Sequence, residues 1–198
     1  MPPSRRDDLV DAAMRVFCQH GFHASGLDSI LEAGGISRMT VYNHFKSKDE
    51  LIVAAMRRRD EIFRNRLMKF VDSHATDPRE RILAVFDYHE QWFTSGEFFG
   101  CMFINAAAEY SDPQCAVRQL AAEHKRLVLR YLEDLCTDAS VPDPAAVATQ
   151  LNLLIEGAIV TAYVTDQARV SGEAAGRAAQ LARQMTSRIL DDAQSPQI

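Results

Sequence analysis

The chain has 198 residues, with 22 Lys and Arg against 27 Asp and Glu, and its formal net charge is −5. A negative net charge excludes binding to nucleic acid through the overall charge of the chain. Hydrophobic residues make up 47% of the chain, which suffices for a sizeable core. No signal peptide precedes the first helical pattern, and Glu156 interrupts the richest apolar stretch at 153–164, so we expect a cytoplasmic protein with no membrane partner.

The first two predicted elements are amphipathic helices, each opened by a serine. Ser4 is placed to cap a helix with apolar residues at helical spacing, which ends near Gly21. The stretch from Ser25 to Asp28 has the pattern of a capping box and predicts a second helix. Gly35 follows that helix, and a glycine can take the left-handed conformation that ends a helix.

A very short polar helix is predicted next, directly before a longer one. Ser37 is placed to cap the short helix, and Ser47 with Glu50 three residues later forms a capping box for the longer one. Val41 and Phe45 fall on one face of the short helix and leave polar side chains on the other. A helix, a glycine turn and a polar helix form the helix-turn-helix pattern, whose second helix enters the major groove of DNA. An ordinary helical bundle with no DNA role shows the same local pattern.

The rest of the chain predicts six helices and no strand. Proline, glycine and capping residues mark their ends, at 48–73, 77–95, 97–110, 112–137, 143–166 and 171–192. The tail from Gln194 is predicted to be disordered. We therefore predict an all-α protein of about nine helices, with a three-helix head at its N-terminus.

Most of the first fifty residues fit one known signature. The residues that carry it are Gly21-Phe22, Ser25, Ile30, Ala33, Gly35-Ile36-Ser37, Thr40-Val41-Tyr42, His44-Phe45 and Lys48-Asp49-Glu50-Leu51. Together they resemble the N-terminal signature of TetR/AcrR-type transcriptional regulators. The resemblance implies a helix-turn-helix DNA-binding domain at 1–47 and a helical ligand-binding and dimerisation domain at 48–198. Met39 departs from the family, which commonly has a small residue such as glycine there.

The same resemblance implies which residues contact DNA. The recognition helix and its cap would present Ser37, Arg38, Thr40, Tyr42, Asn43 and His44. Tyr42, His44 and Lys48 would contact phosphate groups, and Ser25 would contact the DNA backbone at the start of the second helix.

A small-molecule pocket is implied in the second domain. The segment 91–105 concentrates aromatic, sulfur-containing and apolar side chains, which is typical of a pocket wall. The candidate residues, polar groups and walls together, are His89, Trp92, Phe99, Met102, Phe103, Asn105, Glu109, Asn152, Glu156 and Tyr163. The alternative is a close-packed core in which the polar members already have partners.

The last two helices are predicted to form the contact of a homodimer. Small residues permit close approach of helices, and larger apolar residues add buried area. The residues of these two kinds are Ala158, Ala162, Ala174, Ala175, Ala178, Ala179 and Ala182, with Leu151, Leu154, Ile155, Leu181, Met185 and Ile189. The alternative is that these faces pack within one subunit.

The function that these features imply is a regulator of transcription. We expect a dimer that binds a palindromic operator in double-stranded DNA, most simply as a repressor, and is released by a small-molecule inducer. The alternative is a regulator of the same fold controlled by oxidation of Cys101 or Cys115, or by a protein partner. Neither a nucleophile with a base, a phosphate-binding loop nor metal-ligand spacing is present, so we expect no enzyme, no metal and no cofactor.

Overall fold

The computed structural model describes residues 5–165 and 172–194, whose backbone forms nine α-helices and no strand. The helices are α1 (Arg5–His20), α2 (Leu27–Gly34), α3 (Arg38–His44), α4 (Lys48–His74), α5 (Pro78–Thr94), α6 (Met102–Glu109), α7 (Ala116–Asp138), α8 (Pro144–Val164) and α9 (Gly172–Gln194). The predicted all-α class and the number of helices are confirmed. The predicted cap at Ser4 and the tail beyond Gln194 lie outside the described residues.

The chain folds into two compact units. The first contains the described residues of 1–63 together with 101–124, and the second contains 64–100 with the described residues from 125 onward. Helices α4 and α7 each contribute residues to both units. The division into domains at 1–47 and 48–198 remains a prediction.

In the first unit, α1 packs on α2 and α3 around a core of fully or nearly fully buried side chains that includes Phe17, Phe22 and Ile30. Gly35 ends α2 with a φ of +59°, as its sequence position predicts. Ser37 caps α3, because its hydroxyl accepts from the Thr40 N–H at 3.4 Å. Both predictions are confirmed, and together Gly35 and Ser37 set the end of α2 and the start of α3.

Two predicted helix starts in the first unit are wrong. Gly26, not Ser25, is the N-cap residue of α2, and no side chain caps this helix. The Ser25 hydroxyl instead donates to the Gly21 carbonyl. This local bond to the backbone takes the place of a cap on α2. Helix α7 begins at Ala116 and not at Asp112, because residues 112–115 form a turn closed by the Cys115 N–H and the Asp112 carbonyl at 3.2 Å.

The predicted helix at 97–110 is also wrong at its start, since α6 begins only at Met102. Gly100 has a φ of +78°, which no helix accommodates. A Cβ at residue 100 would lie only 2.8 Å from the Cγ atom of the Tyr163 ring. The close approach of this side chain from α8 therefore requires glycine at residue 100, and the positive φ there prevents α6 from beginning earlier.

In the second unit, α5, α8 and α9 pack on one another. Asp77 caps α5 and accepts from the N–H groups of Arg79 and Glu80, both at 3.0 Å. Arg79 also pairs with Asp191 of α9 at 2.5 Å, and Arg183 of α9 pairs with Asp87 of α5 at 2.7 Å. These two ion pairs therefore reinforce the apolar contact between α5 and α9.

Several residues predicted for a dimer contact are buried inside this unit instead. They are Leu151, Ile155, Ala158, Ala162, Ala179 and Ala182. Their small and branched side chains let α8 approach its neighbours within one chain, so the alternative of packing within a subunit is correct for them. Among the described helices, α8 also has the length and composition of a membrane span, a test that a buried core helix passes equally well.

Candidate functional site

The short helix α3 presents a polar and aromatic face and buries an apolar one. Val41 and Phe45 are buried, whereas Tyr42 is 63% exposed and Met39 is 66% exposed. Four other residues of the predicted DNA-binding face are also exposed, namely Ser37, Arg38, Asn43 and His44. Thr40 is the exception, because it is buried and its hydroxyl lies 3.0 Å from that of Ser37. It therefore completes the cap of the helix.

Arg38 joins the two helices of the motif. Its guanidinium pairs with the Asp28 carboxylate at the start of α2. A hydrogen bond with the Tyr42 hydroxyl, and then the charge of Asp28, raise the pKa of Arg38. Arg38 and Tyr42 thus form a side-chain pair on the exposed face, with a cation and a phenol available to phosphate or base edges.

The turn between α1 and α2 holds the other two predicted DNA contacts. The Ser25 hydroxyl donates to the Gly21 carbonyl at 2.5 Å, and the Lys48 ammonium donates to the Phe22 carbonyl at 2.6 Å. The structure therefore brings Ser25 and Lys48 together on one turn. Ser25 is buried at 2% exposure and Lys48 is half-buried, so Lys48 is the more accessible of the two predicted contacts with the DNA backbone.

Glu109, predicted for the ligand pocket, has its carboxylate on this same turn. Its two oxygens accept from the N–H of Phe22 at 2.9 and 3.0 Å and from the N–H of His23 at 2.7 Å. Sequence reasoning missed this role, because Glu109 lies far along the chain and only its apolar neighbours at helical spacing were visible.

His89 is fully buried in the second unit. Its Nδ1 lies 2.7 Å from the Val85 carbonyl of the preceding helical turn. Burial, with a smaller contribution from the charge of Lys125, lowers the pKa of His89 to about 4. A neutral imidazole bonded to its own helix is a core residue.

We expect His89 to make the protein less stable in mild acid. The unfolded chain binds a proton at this residue below pH 6.5, whereas the folded chain does so only near pH 4, so stability falls through that window. Between pH 7 and pH 5 the loss is about 2 kcal/mol in the free energy of unfolding. Urea titrations should show that His89→Gln, which keeps a donor for the Val85 carbonyl, removes this part of the loss. Equal losses in both proteins would contradict the assignment.

The other predicted pocket residues of the second unit have mostly structural contacts. Both oxygens of Glu156 accept from the Lys125 ammonium at 2.7 Å. The Trp92 ring lies edge-on to Phe98, with 5.0 Å between centroids. Tyr163 packs over Gly100 and is partly exposed, and Phe99 is half-buried. The Asn152 side-chain oxygen is buried and accepts no hydrogen bond from the described residues.

A cavity of about 330 Å³ lies in the first unit, between α4, α6 and α7. It is lined by Met56, Arg57, Asp60, Phe103, Leu120, Glu123 and His124. Phe103 is thus the member of the predicted pocket set that lines it, while Met102 and Asn105 do not. Its polar feature is the buried His124 ring, whose Nδ1 lies 2.7 Å from the Asp60 carboxylate. The Phe103 ring stacks on this imidazole with 3.7 Å between centroids.

A larger cleft of about 880 Å³ lies elsewhere in the first unit, near the start of α4. Side chains of both charges line it, among them the carboxylates of Asp11 and Glu61 and the guanidinium of Arg58. Arg58 already pairs with Asp11 at 3.1 Å and with Glu61 at 3.5 Å. The smaller cavity is the more enclosed of the two, and enclosure is typical of a small-molecule site.

Over the described residues, no three His, Cys, Asp or Glu side chains lie close enough together to hold a metal ion. The four cysteines form no disulfide with one another. Burial raises the pKa of Cys18, and it raises that of Cys136 to about 11. Both thiols are therefore protonated at neutral pH, which makes them poor nucleophiles.

The sequence matches two family models. The model described as "Bacterial regulatory proteins, tetR family" matches residues 9–55, which include the helix-turn-helix motif. The model described as "Tetracyclin repressor-like, C-terminal domain" matches residues 78–179, more than half of the chain.

Individual relatives are bacterial regulators of transcription. The HTH-type transcriptional regulator YjdC of Escherichia coli is 25% identical over 158 residues, which are 78% of this chain and 81% of YjdC. The HTH-type transcriptional repressor NemR of the same organism is 28% identical over 128 residues, 64% of each chain. The crystal structure of SCO4454, a TetR-family regulator from Streptomyces coelicolor, superposes with a TM-score of 0.84 at 26% identity and covers 96% of both chains. The protein therefore belongs to the tetR family of bacterial regulatory proteins and is a DNA-binding regulator of transcription, not an enzyme.

Proposed function

We propose that this regulator is a cytoplasmic repressor that binds a two-half-site operator as a homodimer and is released by a small-molecule effector. The observation that carries the DNA-binding part is the exposed face of α3, with Tyr42 and Arg38 presented as a pair. A recognition helix reads base edges with its exposed side chains while its apolar back holds it on the rest of the head. Val41 and Phe45 supply that back.

An exposed apolar stripe supports the homodimer. Leu153, Val160 and Val164 lie on one face of α8, and Leu181 and Met185 are exposed on α9. The charged residue on this face of α8 is Glu156, which is partly buried and paired with Lys125. The other exposed members are uncharged, namely Ala145, Ala146, Thr149, Gln150, Gly157, Thr161 and Tyr163. A contiguous apolar face of this kind marks a protein–protein contact.

A second copy of the chain is the occupant that this stripe fits best. Nothing lies within 4 Å of the position that a Cβ would take at Gly157, so a partner helix can approach the α8 backbone closely there. Two copies related by a twofold axis would bury the same stripe against itself. They would also present two recognition helices about 34 Å apart, or a multiple of it, as two half-sites of B-DNA require.

The cavity lined by Phe103 and His124 is the site we propose for the effector. Its volume of about 330 Å³ lies within the range of small-molecule pockets. Met56, Phe103 and Leu120 offer apolar contact, and the buried His124 ring, paired with the partly exposed Asp60, is a polar group that could orient a ligand. Of the two cysteines named for control by oxidation, Cys101 is buried, whereas Cys115 is partly exposed, so oxidation of Cys115 is the alternative mode of control.

The effector site can be tested by filling the cavity. A small-molecule library is screened for compounds that release the parent protein from a DNA duplex selected from random sequences. Leu120→Trp, which fills the cavity, should bind this duplex but no longer respond to these compounds. Leu127→Trp is the matched control, because Leu127 is half-buried on the same helix and does not line the cavity. Release of Leu120→Trp at the concentrations that release the parent would contradict the proposal.

A further inference from the structure

The turn between α1 and α2 has every polar backbone group of Gly21 and Phe22 satisfied. The Gly21 N–H donates to the Phe17 carbonyl at 3.0 Å, and the Gly21 carbonyl accepts from Ser25. The Phe22 carbonyl accepts from Lys48, and the Phe22 N–H donates to Glu109. The turn thus joins residues of α1, α4 and α6 with Ser25, which precedes α2.

Glu109 makes the largest number of these bonds. Its two carboxylate oxygens accept from two successive backbone N–H groups, those of Phe22 and His23, and its own carbonyl lies 3.1 Å from the His23 ring nitrogen Nε2. Hydrogen bonds from an N–H to a carboxylate are stronger than those between neutral groups.

The glycine and the aromatic rings around the turn are arranged for this contact. Gly21 has a φ of +78°, and a Cβ there would lie 2.8 Å from a Glu109 carboxylate oxygen. The His23 ring stacks on Tyr110, which follows Glu109, with 4.9 Å between centroids, and Tyr110 also meets the buried Phe22 ring edge-on at 6.0 Å. Backbone, side-chain and ring contacts therefore fix the same few atoms.

We propose that Glu109 is a positioning residue for DNA binding, which orients the helix-turn-helix motif by holding the turn that anchors Ser25 and Lys48. Ser25 and Lys48 have the Gly21 and Phe22 carbonyls as their hydrogen-bond acceptors, and Glu109 holds the N–H groups of the same peptide segment. A rotation of this turn would move both predicted phosphate contacts together. The DNA-binding unit is then complete only with α6, far along the chain from the motif. This inference rests on the DNA-binding function of the family and does not depend on the proposed effector or dimer.

Glu109→Gln tests the proposal with almost no change in shape. A glutamine offers one acceptor oxygen and turns an amide donor toward the other N–H, so the bonds to Phe22 and His23 cannot all form. We expect the affinity for the selected duplex to fall about 10- to 100-fold, because loss of charged hydrogen bonds misplaces the turn. Glu133→Gln is the control, because Glu133 is exposed on α7 and its substitution removes the same charge. Removal of a negative charge alone should leave DNA affinity unchanged or raise it.

A second readout separates positioning from a loss of stability. If Glu109 positions the motif, the ratio of affinities for the selected duplex and for a scrambled duplex falls in Glu109→Gln. If it only stabilises the fold, that ratio is unchanged after correction for the folded fraction, and the proposal is overturned. An affinity within threefold of the parent's also overturns it.

Hydrogen exchange in the parent protein keeps the proposal testable if the variant does not fold. The Phe22 and His23 amides donate to Glu109, so their exchange should be slowed to a rate comparable with that of amides inside α1. Exchange at the rate of an unstructured peptide would show that the carboxylate does not hold the turn.

Discussion

Tyr42→Ala is expected to abolish sequence-specific DNA binding while it leaves the dimer intact. Tyr42 is 63% exposed on α3, so its removal leaves the core of the head unchanged. The variant loses a contact to DNA, while the Arg38 guanidinium keeps its pair with Asp28. At about 1–2 kcal/mol for each of two half-sites, affinity should fall about 30- to 1,000-fold.

Fluorescence anisotropy with the selected duplex measures this effect, and sedimentation checks the oligomeric state. Tyr42→Phe is the matched variant, because it keeps the ring and removes the hydroxyl that bonds Arg38. It should lie between the parent and Tyr42→Ala. If Tyr42→Ala bound the selected duplex as tightly as the parent, the assignment of α3 as the recognition helix would be wrong.

Leu153→Glu is expected to separate the dimer into monomers. Leu153 is 67% exposed in the apolar stripe of α8, and in a twofold contact its copy would face the same stripe. A carboxylate buried there without a partner costs about 3 kcal/mol or more, and each dimer would hold two, so the dimerisation constant should fall about 10⁴-fold.

Analytical ultracentrifugation over a range of concentrations measures the dissociation, with DNA binding followed in parallel. A monomer holds one half-site only, so the affinity for the full operator should collapse with the dimer. Met68→Glu is the control, since Met68 is an exposed apolar residue of α4 outside the stripe. A Leu153→Glu variant that remained dimeric at micromolar concentration would place the dimer contact on another surface.

The helix-turn-helix motif was predictable because its signals are local. A serine hydroxyl that caps a helix bonds an N–H two or three residues away, and a left-handed glycine ends a helix through its own φ angle. Ser37, Ser47 and Gly35 act in this way in the structure. Such bonds depend little on the rest of the fold, so the sequence alone was sufficient.

Contacts between distant parts of the chain were not predictable. The Glu109 carboxylate bonds a turn 86 and 87 residues away, and no spacing rule connects the two positions. Gly100 is required by the ring of Tyr163, which also arrives from another helix. In both cases the deciding contact is tertiary, so local pattern placed Glu109 in a pocket and residue 100 in a helix.

The two faces of α8 show why the dimer residues were misassigned. This helix has apolar side chains all round, so its periodicity does not indicate which face points inward. Alanines permit close contact between helices of two subunits or of one, and Ala158 and Ala162 pack inside one chain. The larger Leu153, Val160 and Val164 are the residues left exposed.

The most direct test of the account is selection of duplexes from a random pool by the purified protein, followed by footprinting of the best sequence. We expect a protected site of two half-sites in inverted orientation, centred about 34 Å or a multiple of it apart, bound by two copies of the chain. We also expect the contact pattern to be lost with Tyr42→Ala. No enrichment of any sequence over the random pool, at any salt concentration, would contradict the claim that α3 reads DNA in this way.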